Sequence, residues 1–218
     1  MFGAAIFDLD GTLIDSLVDI ANAANEVLME QGRDAVPIER YRTLVGDGVG
    51  VLMERLIPEV ATDPALLATC TSSFARHYEE HWNKTSKPYE GIPLLLKSLS
   101  AIGMPMAVLS NKPDGFTRRC IDYFFPTIAF AVVLGHSERF PKKPHPASSL
   151  WLADFLGTPA DRIAYVGDTN TDMKTAVEAG FFAMGVAWGF RTREELYQSG
   201  ARVVYDQPSQ LLAGLLDR

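Results

Sequence analysis

In the stretch AAIFDLDGTL, residues 4–13, a short apolar run is followed by two carboxylates. The run is apolar on both faces, which is typical of a buried strand in a parallel sheet. Asp8 and Asp10 stand two positions apart, so on an extended backbone their side chains point to the same side. Ligands of open α/β sheets bind beyond the carboxyl ends of the strands. The stretch therefore predicts a strand with a binding site at its end.

Two adjacent carboxylates repel each other, and one tends to stay protonated unless a cation lies between them. Hard oxygen ligands suit Mg²⁺, so the pair indicates a magnesium site. Taken alone, the same residues also fit a hairpin turn, since Asp10-Gly11 is a strong turn signal. A calcium loop does not fit, because its glycine stands at the sixth position and here it stands fourth, counted from Asp8.

Apolar runs with strand character recur along the chain, at residues 104–109, 128–134, 162–166 and 182–188. Between them, apolar residues at three- and four-residue spacing predict helices over residues 116–124, 147–156 and 172–179. This alternation of strands and helices predicts an α/β fold with a doubly wound, mostly parallel sheet of the Rossmann-like kind.

One interval breaks the alternation, because residues 17–88 contain no convincing strand pattern. Helical patterns occur instead at residues 17–28, 38–44, 49–57 and 64–82, followed by a linker-like segment. We therefore predict an all-helical domain inserted after the first strand. In this division, residues 1–15 and 88–218 form the core, and residues 16–87 form a helical cap domain.

A second pair of carboxylates follows a later predicted strand, in the sequence VGDTNTD of residues 166–172. Asp168 stands at the strand end, and Asp172 stands in the first turn of the next helix. Helix capping also explains such residues, because Asp, Asn and Thr are common caps. A calcium loop does not fit here either, since its glycine and its glutamate are missing.

Two further loops carry groups that suit a phosphate. In LSNK, residues 109–112, the hydroxyl of Ser110 and a backbone amide can hold a phosphate oxygen, although an ordinary cap and turn also fits. In PKKPHP, residues 141–146, prolines stiffen a loop that can direct one ammonium inward, although paired lysines are usually solvated. Four such signals in this order, each beside a strand end, indicate one shared site.

Together these motifs resemble those of haloacid dehalogenase superfamily phosphatases that carry a helical cap. The matching positions are DLDGTL at residues 8–13, Ser110, Lys143, and GDTNTD at residues 167–172. The resemblance implies that Asp8 attacks phosphorus and forms an aspartyl-phosphate, while Asp10 protonates the leaving alcohol and then activates water. It also implies that Ser110 and Lys143 are catalytic groups that balance charge on the transferring phosphoryl group.

The resemblance further implies Mg²⁺ as the cofactor. The metal ligands would be Asp8, the backbone carbonyl of Asp10, and Asp168. Asp172 would hold a metal-bound water or orient Lys143. An acid at Asp10 favours phosphate esters over carbon–halogen or phosphonate cleavage, since those branches of the superfamily lack it.

Within the superfamily, the stretches RTLVGDG (residues 42–48), SNKP (residues 110–113) and GVAWGF (residues 185–190) are similar to those of phosphoglycolate phosphatases. This similarity implies hydrolysis of 2-phosphoglycolate to glycolate and phosphate. The candidate substrate-binding residues are Thr12, Asn111, Lys112, Gly46, Asp47 and Gly48. Residues 46–48 open a predicted helix, whose free amides can receive a carboxylate. Arg42 and Arg55 are alternative cationic partners.

Other functions stay open at this point. A different small phosphate ester, pyrophosphate, or a sugar-phosphate mutase reaction would use the same two acids. A phosphate-binding module without catalysis is disfavoured, because Asp8, Asp10 and Asp168 are all present. The sequence HYEEH at residues 77–81 matches a zinc-peptidase pattern, but no third ligand is evident.

Composition limits the classes of binding partner and the cellular locations that we expect for this protein. A net charge of −7 over 218 residues disfavours nucleic acid and anionic membranes as partners. No apolar run approaches the ~20 residues that cross a bilayer, and the first residues lack the basic region of a signal peptide. We therefore expect a cytoplasmic protein. The resemblance implies that its partner is a small phosphorylated metabolite, and we expect a monomer or homodimer.

Overall fold

A parallel sheet of six strands organises the larger part of the structure, a computed structural model that describes residues 2–217. The strands in chain order are β1 (Ala4–Phe7), the two-residue β2 (Ile14–Asp15) and β3 (Lys87–Pro88), β4 (Met106–Pro113), β5 (Val132–His136), β6 (Ile163–Gly167), β7 (Phe182–Val186) and β8 (Val203–Tyr205). The sheet has the order β5-β4-β1-β6-β7-β8, while β2 pairs with β3 separately. The predicted α/β class with a doubly wound, mostly parallel sheet is confirmed.

The central strand β1 marks the point where the strand order reverses. Strand β4 lies on one side of it and β6 on the other, with Phe7 opposite both Val108 and Val166. All β1 residues are buried, as expected for a strand covered on both faces. Such a reversal leaves a crevice at the carboxyl ends of the strands, and Asp8 follows β1 directly there.

The chain divides into two units. Residues Met1–Ile14 and Pro88–Arg218 form the core, and Asp15–Lys87 form a helical unit. The helical unit contains α1 (Leu17–Glu30), α2 (Tyr41–Leu44), α3 (Val49–Leu56) and α4 (Pro64–His81); the core contains α5 (Ile92–Ala101), α6 (Asp114–Phe124), α7 (Ala147–Phe155), α8 (Asn170–Glu178), α9 (Arg193–Gln198) and α10 (Pro208–Leu216). The helical unit begins at Asp15, one residue before the predicted boundary, and ends at Lys87 as predicted. Residues 1 and 218 lie outside the described part.

A side-chain cap fixes the start of helix α8. Thr169 accepts a hydrogen bond from the backbone N–H of Asp172, and the Asp172 carboxylate accepts one from the backbone N–H of Thr169. This reciprocal arrangement satisfies two backbone donors at the helix start. It also holds Asp172 beside the carboxyl end of β6, so the predicted capping role and a role in the site coexist in one residue.

Asp19 in helix α1 is a completely buried carboxylate of the helical unit. It accepts hydrogen bonds from the backbone N–H and hydroxyl of Thr85 and from the backbone N–H and hydroxyl of Ser86. Although burial opposes ionisation, these hydrogen bonds hold the pKa of Asp19 below its ordinary value. Asp19 thereby ties the first helix to the segment that leads into β3.

Each predicted strand and helix overlaps an observed one, but α5, α9 and α10 were not predicted, and the sheet differs in three places. Strand β4 continues to Pro113 and includes residues 109–112, for which the sequence predicts a loop. The apolar run at residues 128–134 begins as irregular backbone, and strand β5 starts only at Val132. Strand β8 has three residues, which is too short to stand out as an apolar run. Within residues 2–217, no helix combines the length and the apolar character that crossing a membrane requires.

Candidate active site

The ammonium group of Lys143 lies at the centre of the candidate site. Its Nζ donates to Asp8 Oδ1 at 2.8 Å, to Asp172 Oδ1 at 2.7 Å and to the carbonyl oxygen of Leu109 at 3.0 Å. All of these residues are buried. The loop of residues 141–146 therefore does direct one ammonium inward, where it contacts β4 and residues that follow β1 and β6 in the chain.

A cluster of three buried carboxylates surrounds this ammonium. Oxygen atoms of Asp8, Asp168 and Asp172 lie within 4.8 Å of one another. Burial, together with the negative charge of Asp172, raises the pKa of Asp8 to about 7. Burial and the charges of Asp172 and Asp8 likewise raise the pKa of Asp168 well above its ordinary value. The positive charge near these carboxylates is therefore too small to balance their negative charge.

Lys143 stays charged within this cluster. Burial alone would lower the pKa of its ammonium, but the adjacent carboxylates of Asp172 and Asp8 raise that pKa well above its ordinary value. Full ionisation of the three carboxylates beside one ammonium would leave two negative charges uncompensated in a buried place, which is costly in free energy.

The cluster fits a divalent cation. Carboxylate oxygens are the ligands that Mg²⁺ prefers, and a cation there would offset the excess negative charge. Among the side chains of residues 2–217, this is the only group of His, Cys, Asp and Glu close enough to hold a metal. It includes the predicted ligands Asp8 and Asp168, together with Asp172. The predicted contribution of the Asp10 carbonyl stays a prediction.

The carboxylate of Asp10 is paired with a second ammonium. Lys112 Nζ donates to Asp10 Oδ1 at 2.9 Å and to Oδ2 at 3.0 Å, and the lysine is buried. The backbone N–H of Lys112 donates to Ser110 Oγ at 3.2 Å. The structure thus brings a predicted substrate-binding lysine beside the predicted acid and the predicted phosphate-binding serine, a pairing that the sequence pattern did not predict.

Asn111 fixes the backbone of Lys143. Its Oδ1 accepts from the Lys143 backbone N–H at 2.9 Å, and its Nδ2 donates to the Lys143 carbonyl oxygen at 3.2 Å. The sequence predicts Asn111 as a substrate-binding residue. In the structure its side-chain amide instead secures the loop that carries the central ammonium, and direct substrate contact stays a prediction.

Both oxygens of Asp168 are held by other loops. The hydroxyl of Thr12 donates to Asp168 Oδ1 at 2.8 Å, and the backbone N–H of Phe190 donates to Oδ2 at 2.8 Å. Thr12, predicted to bind substrate, is completely buried and supports this carboxylate. The Phe190 contact could not be read from residue types, because every residue except proline has a backbone N–H.

Three predicted substrate-binding residues lie in the helical unit, between α2 and α3. They are Gly46, Asp47 and Gly48, and both glycines have positive φ. Asp47 Oδ2 accepts from Arg55 Nη2 at 2.5 Å, and Arg55 Nη1 donates to the carbonyl oxygen of Leu44 at 2.7 Å. Arg55 therefore binds this loop, and the role of residues 46–48 in substrate binding stays a prediction.

The HYEEH segment at the end of α4 gathers no zinc ligands. His77 Nε2 lies 2.8 Å from Glu30 Oε1. Neither His77 nor His81 belongs to any candidate metal group within residues 2–217. His77 therefore contributes to the contact between helices α1 and α4 through Glu30.

Comparison with known proteins identifies relatives. A family model described as haloacid dehalogenase-like hydrolase matches residues 5–186. The phosphoglycolate phosphatase of Photobacterium profundum is 33% identical over 212 residues, which cover 94% of this chain and 92% of that protein. A crystal structure of a phosphoglycolate phosphatase candidate from Lactobacillus delbrueckii subsp. bulgaricus matches with a TM-score of 0.93 at 29% identity, covering 100% of this chain and 99% of the other. A predicted phosphoglycolate phosphatase from Haemophilus somnus 129pt matches with a TM-score of 0.89 at 27% identity, covering 97% of each chain.

A doubly wound sheet with buried carboxylates after β1 and β6, and a helical insertion after β1, defines a class of hydrolases. The chain belongs to the haloacid dehalogenase-like hydrolase family. The predicted resemblance to this family is confirmed. The predicted enzyme class, a phosphoric monoester hydrolase, is confirmed with it.

Proposed function

We propose that this enzyme hydrolyses 2-phosphoglycolate to glycolate and phosphate through an aspartyl-phosphate on Asp8, with Mg²⁺ as cofactor. One observation carries the proposal: the Lys143 ammonium binds Asp8 at 2.8 Å and Asp172 at 2.7 Å within the carboxylate cluster. An oriented carboxylate beside a fixed cation suits attack on an anionic phosphoryl group. Relatives named phosphoglycolate phosphatase support the choice of substrate.

Asp8 is the nucleophile in this proposal. Lys143 holds Oδ1, and a carboxylate oxygen of Asp8 forms a bond to phosphorus while the bond from phosphorus to the alcohol oxygen breaks. The backbone N–H of Asp8 donates to the Val166 carbonyl oxygen at 2.9 Å, which anchors the nucleophile to the end of β6. A nucleophile on a rigid strand end keeps its orientation during the reaction.

Asp10 transfers the protons. Its carboxyl gives a proton to the leaving alcohol oxygen in the first step. In the second step its carboxylate takes a proton from water, whose oxygen attacks phosphorus and releases phosphate from Asp8. Lys112 holds the Asp10 side chain at the strand end where this transfer takes place.

The remaining groups balance charge. Lys143 and Ser110 face the phosphoryl oxygens, and Asp172 orients the Lys143 ammonium. Asp8 and Asp168 would hold the metal, which would supply positive charge against the carboxylates and the phosphoryl group.

Lys112 selects a substrate that carries a carboxylate beside the phosphate. Its ammonium is buried, and it lies two residues from Ser110 in the chain. A glycolate carboxylate that reaches this ammonium forms a charge-assisted hydrogen bond, which an uncharged leaving group does not form. The partner of this site is therefore a small phosphorylated metabolite that carries a second anionic group.

The test compares 2-phosphoglycolate with 2-hydroxyethyl phosphate, in which an alcohol replaces the carboxylate. With Mg²⁺ present, kcat/KM should favour 2-phosphoglycolate. Lys112→Met should lower that preference about 30-fold, since a hydrogen bond to a charged group contributes about 2 kcal/mol. Any effect of Lys112→Met through Asp10 alters both substrates alike, so the ratio isolates recognition of the carboxylate.

Lys97→Met, on the exposed side of α5, is the matched control and should leave the ratio unchanged. Equal kcat/KM values for the two esters in the wild-type enzyme would contradict 2-phosphoglycolate as substrate. No turnover of either ester, with or without Mg²⁺, would contradict the phosphatase mechanism itself.

A further inference from the structure

We propose that Trp188 is a positioning residue for the Mg²⁺ site, acting on Asp168 through the turn at residues 11–13. The inference rests on the magnesium site of the proposed function. Trp188 lies in the loop after β7, two residues before Phe190, whose backbone N–H binds Asp168. Neither the catalytic motifs nor the carboxylate cluster includes this indole.

Three hydrogen bonds link the Trp188 loop, the turn and Asp168 in a closed ring. The indole Nε1–H of Trp188 donates to the backbone carbonyl oxygen of Thr12 at 3.0 Å. The hydroxyl of Thr12 donates to Asp168 Oδ1 at 2.8 Å. The backbone N–H of Phe190, in the same loop as Trp188, donates to Asp168 Oδ2 at 2.8 Å, which closes the ring. The Asp168 carboxylate is thereby held from two sides, by the turn at residues 11–13 and by the loop after β7.

Close packing makes the ring stiff. A Cβ atom on Gly11 would lie 2.2 Å from Asp168 Oδ2, and one on Gly189 would lie 2.2 Å from Asp168 Cβ. Gly11 also has a φ of +90°, in the region that favours glycine. Turn and loop therefore both lie flush against Asp168, so a shift of either moves the carboxylate.

Tyr89 supports the same arrangement from the core segment that follows β3. Its ring centroid lies 6.5 Å from that of Trp188, with the planes inclined at 56°. Its backbone N–H donates to the carbonyl oxygen of Leu13 at 3.2 Å. The indole and the turn that it binds are thus fixed by one neighbouring residue, which leaves little freedom for the Trp188–Thr12 bond to rearrange.

The consequence concerns metal affinity. A carboxylate whose orientation is set before binding loses less conformational freedom when it coordinates a cation. Partners that orient metal ligands typically contribute about 10- to 100-fold to affinity. Trp188 acts one step further away, through Thr12, so its removal should weaken Mg²⁺ binding by a smaller factor.

Isothermal titration calorimetry of the full chain with MgCl₂ alone tests the inference. Thr12→Val, which removes the hydroxyl but keeps the backbone carbonyl, should raise the Kd for Mg²⁺ about tenfold. Trp188→Phe, which keeps an aromatic ring but removes the N–H donor, should raise the Kd about fivefold. Because both changes act on one linkage, the double variant should show a roughly tenfold increase and not the product of the two.

Trp151→Phe is the control, since Trp151 packs against Phe140 and Phe155 on another part of the core. It should leave the Kd for Mg²⁺ unchanged. A Trp188→Phe variant with a lowered Tm and an unaltered Kd would show a purely structural residue and overturn the inference, as would fully multiplicative effects in the double variant. Failure of the wild-type chain to bind Mg²⁺ would instead remove the proposed magnesium site and this inference together.

Discussion

Asp8 and Asp19 are both buried carboxylates, but the core and the helical unit treat them differently. Asp19 accepts hydrogen bonds from neutral backbone and hydroxyl donors of Thr85 and Ser86, which hold its pKa below the ordinary value despite burial. Asp8 lies among other carboxylates, and burial with the charge of Asp172 raises its pKa to about 7. The helical unit satisfies its buried acid, whereas the core leaves charge uncompensated.

This contrast shows what marks a functional acid. Burial alone does not, since both carboxylates are buried. The distinguishing property is charge that the protein does not neutralise by itself, which is characteristic of sites that bind a cation or perform proton chemistry. Variants at the two positions should therefore separate activity from stability.

The largest expected effect is on turnover in Asp8→Asn. We expect kcat to fall by on the order of 10⁴-fold or more, because an amide oxygen is a poor nucleophile and the covalent route is lost. The free energy of unfolding without metal should be maintained or increased, because one buried negative charge is removed. Steady-state kinetics and urea denaturation measure the two quantities.

The matched control for this change is Asp154→Asn, on the exposed side of α7, which should retain full activity. A single turnover of the wild-type enzyme in H₂¹⁸O should not label Asp8 if water attacks phosphorus of the aspartyl-phosphate. Quenching the reaction should instead trap a phosphoryl group on the Asp8 peptide, detectable by mass spectrometry. Substantial phosphatase activity in Asp8→Asn would contradict the nucleophile assignment.

The next effect is on stability in Asp19→Asn. An amide nitrogen cannot accept the hydrogen bonds that Thr85 and Ser86 donate, so buried donors lose their partner. We expect a loss of about 2–3 kcal/mol in the free energy of unfolding, measured by urea denaturation. Asp34→Asn, an exposed change in the same unit, should alter it by less than about 0.5 kcal/mol. Equal stability of the Asp19 and Asp34 variants would refute the anchoring role.

We also expect a pH dependence of Mg²⁺ binding that arises from Asp8 and not from Asp19. The folded-state pKa of Asp8, about 7, lies above its ordinary value of 3.8, so a proton competes with Mg²⁺ for this carboxylate. Mg²⁺ affinity should rise by up to about tenfold per pH unit between about pH 5 and 7 and then level off. Calorimetry across this range measures it, and a flat profile would be inconsistent with the raised pKa of Asp8.

The two acids also change the stability of the fold with pH in opposite directions. Because the pKa of Asp8 is raised on folding, the metal-free fold loses stability as the pH rises from about 4 to 7. Asp19 behaves oppositely, because its folded pKa is depressed; its contribution is full above the unfolded pKa and is lost as the pH falls through the folded value. Asp19→Asn should therefore leave the pH dependence of Mg²⁺ binding unchanged.

Strand-end position was sufficient to predict much of the site. The carboxyl ends of parallel strands meet at one edge, so Asp8 and Asp168 could be expected to approach each other, with Lys143 directed inward by its proline-rich loop. The pairing of Lys112 with Asp10 could not be predicted, because the direction of a long, flexible side chain depends on its final surroundings.

Contacts that involve backbone groups also could not be predicted from the sequence. The Phe190 N–H that holds Asp168 has no residue signature, and the indole bond of Trp188 to a carbonyl requires knowledge of the folded turn. Strand β8 was not predicted, because three residues are too few to show a periodic pattern. What the sequence specifies poorly here is close packing between distant segments.

The pairing of β2 with β3 has a consequence for how such enzymes diversify. These two-residue strands are the points where the chain leaves and re-enters the core, so the insertion of residues 15–87 begins and ends side by side. An insertion with adjoining ends adds little closure entropy to the fold that hosts it. We therefore expect that residues 15–87 can be replaced by another segment without rebuilding the sheet that carries the chemistry.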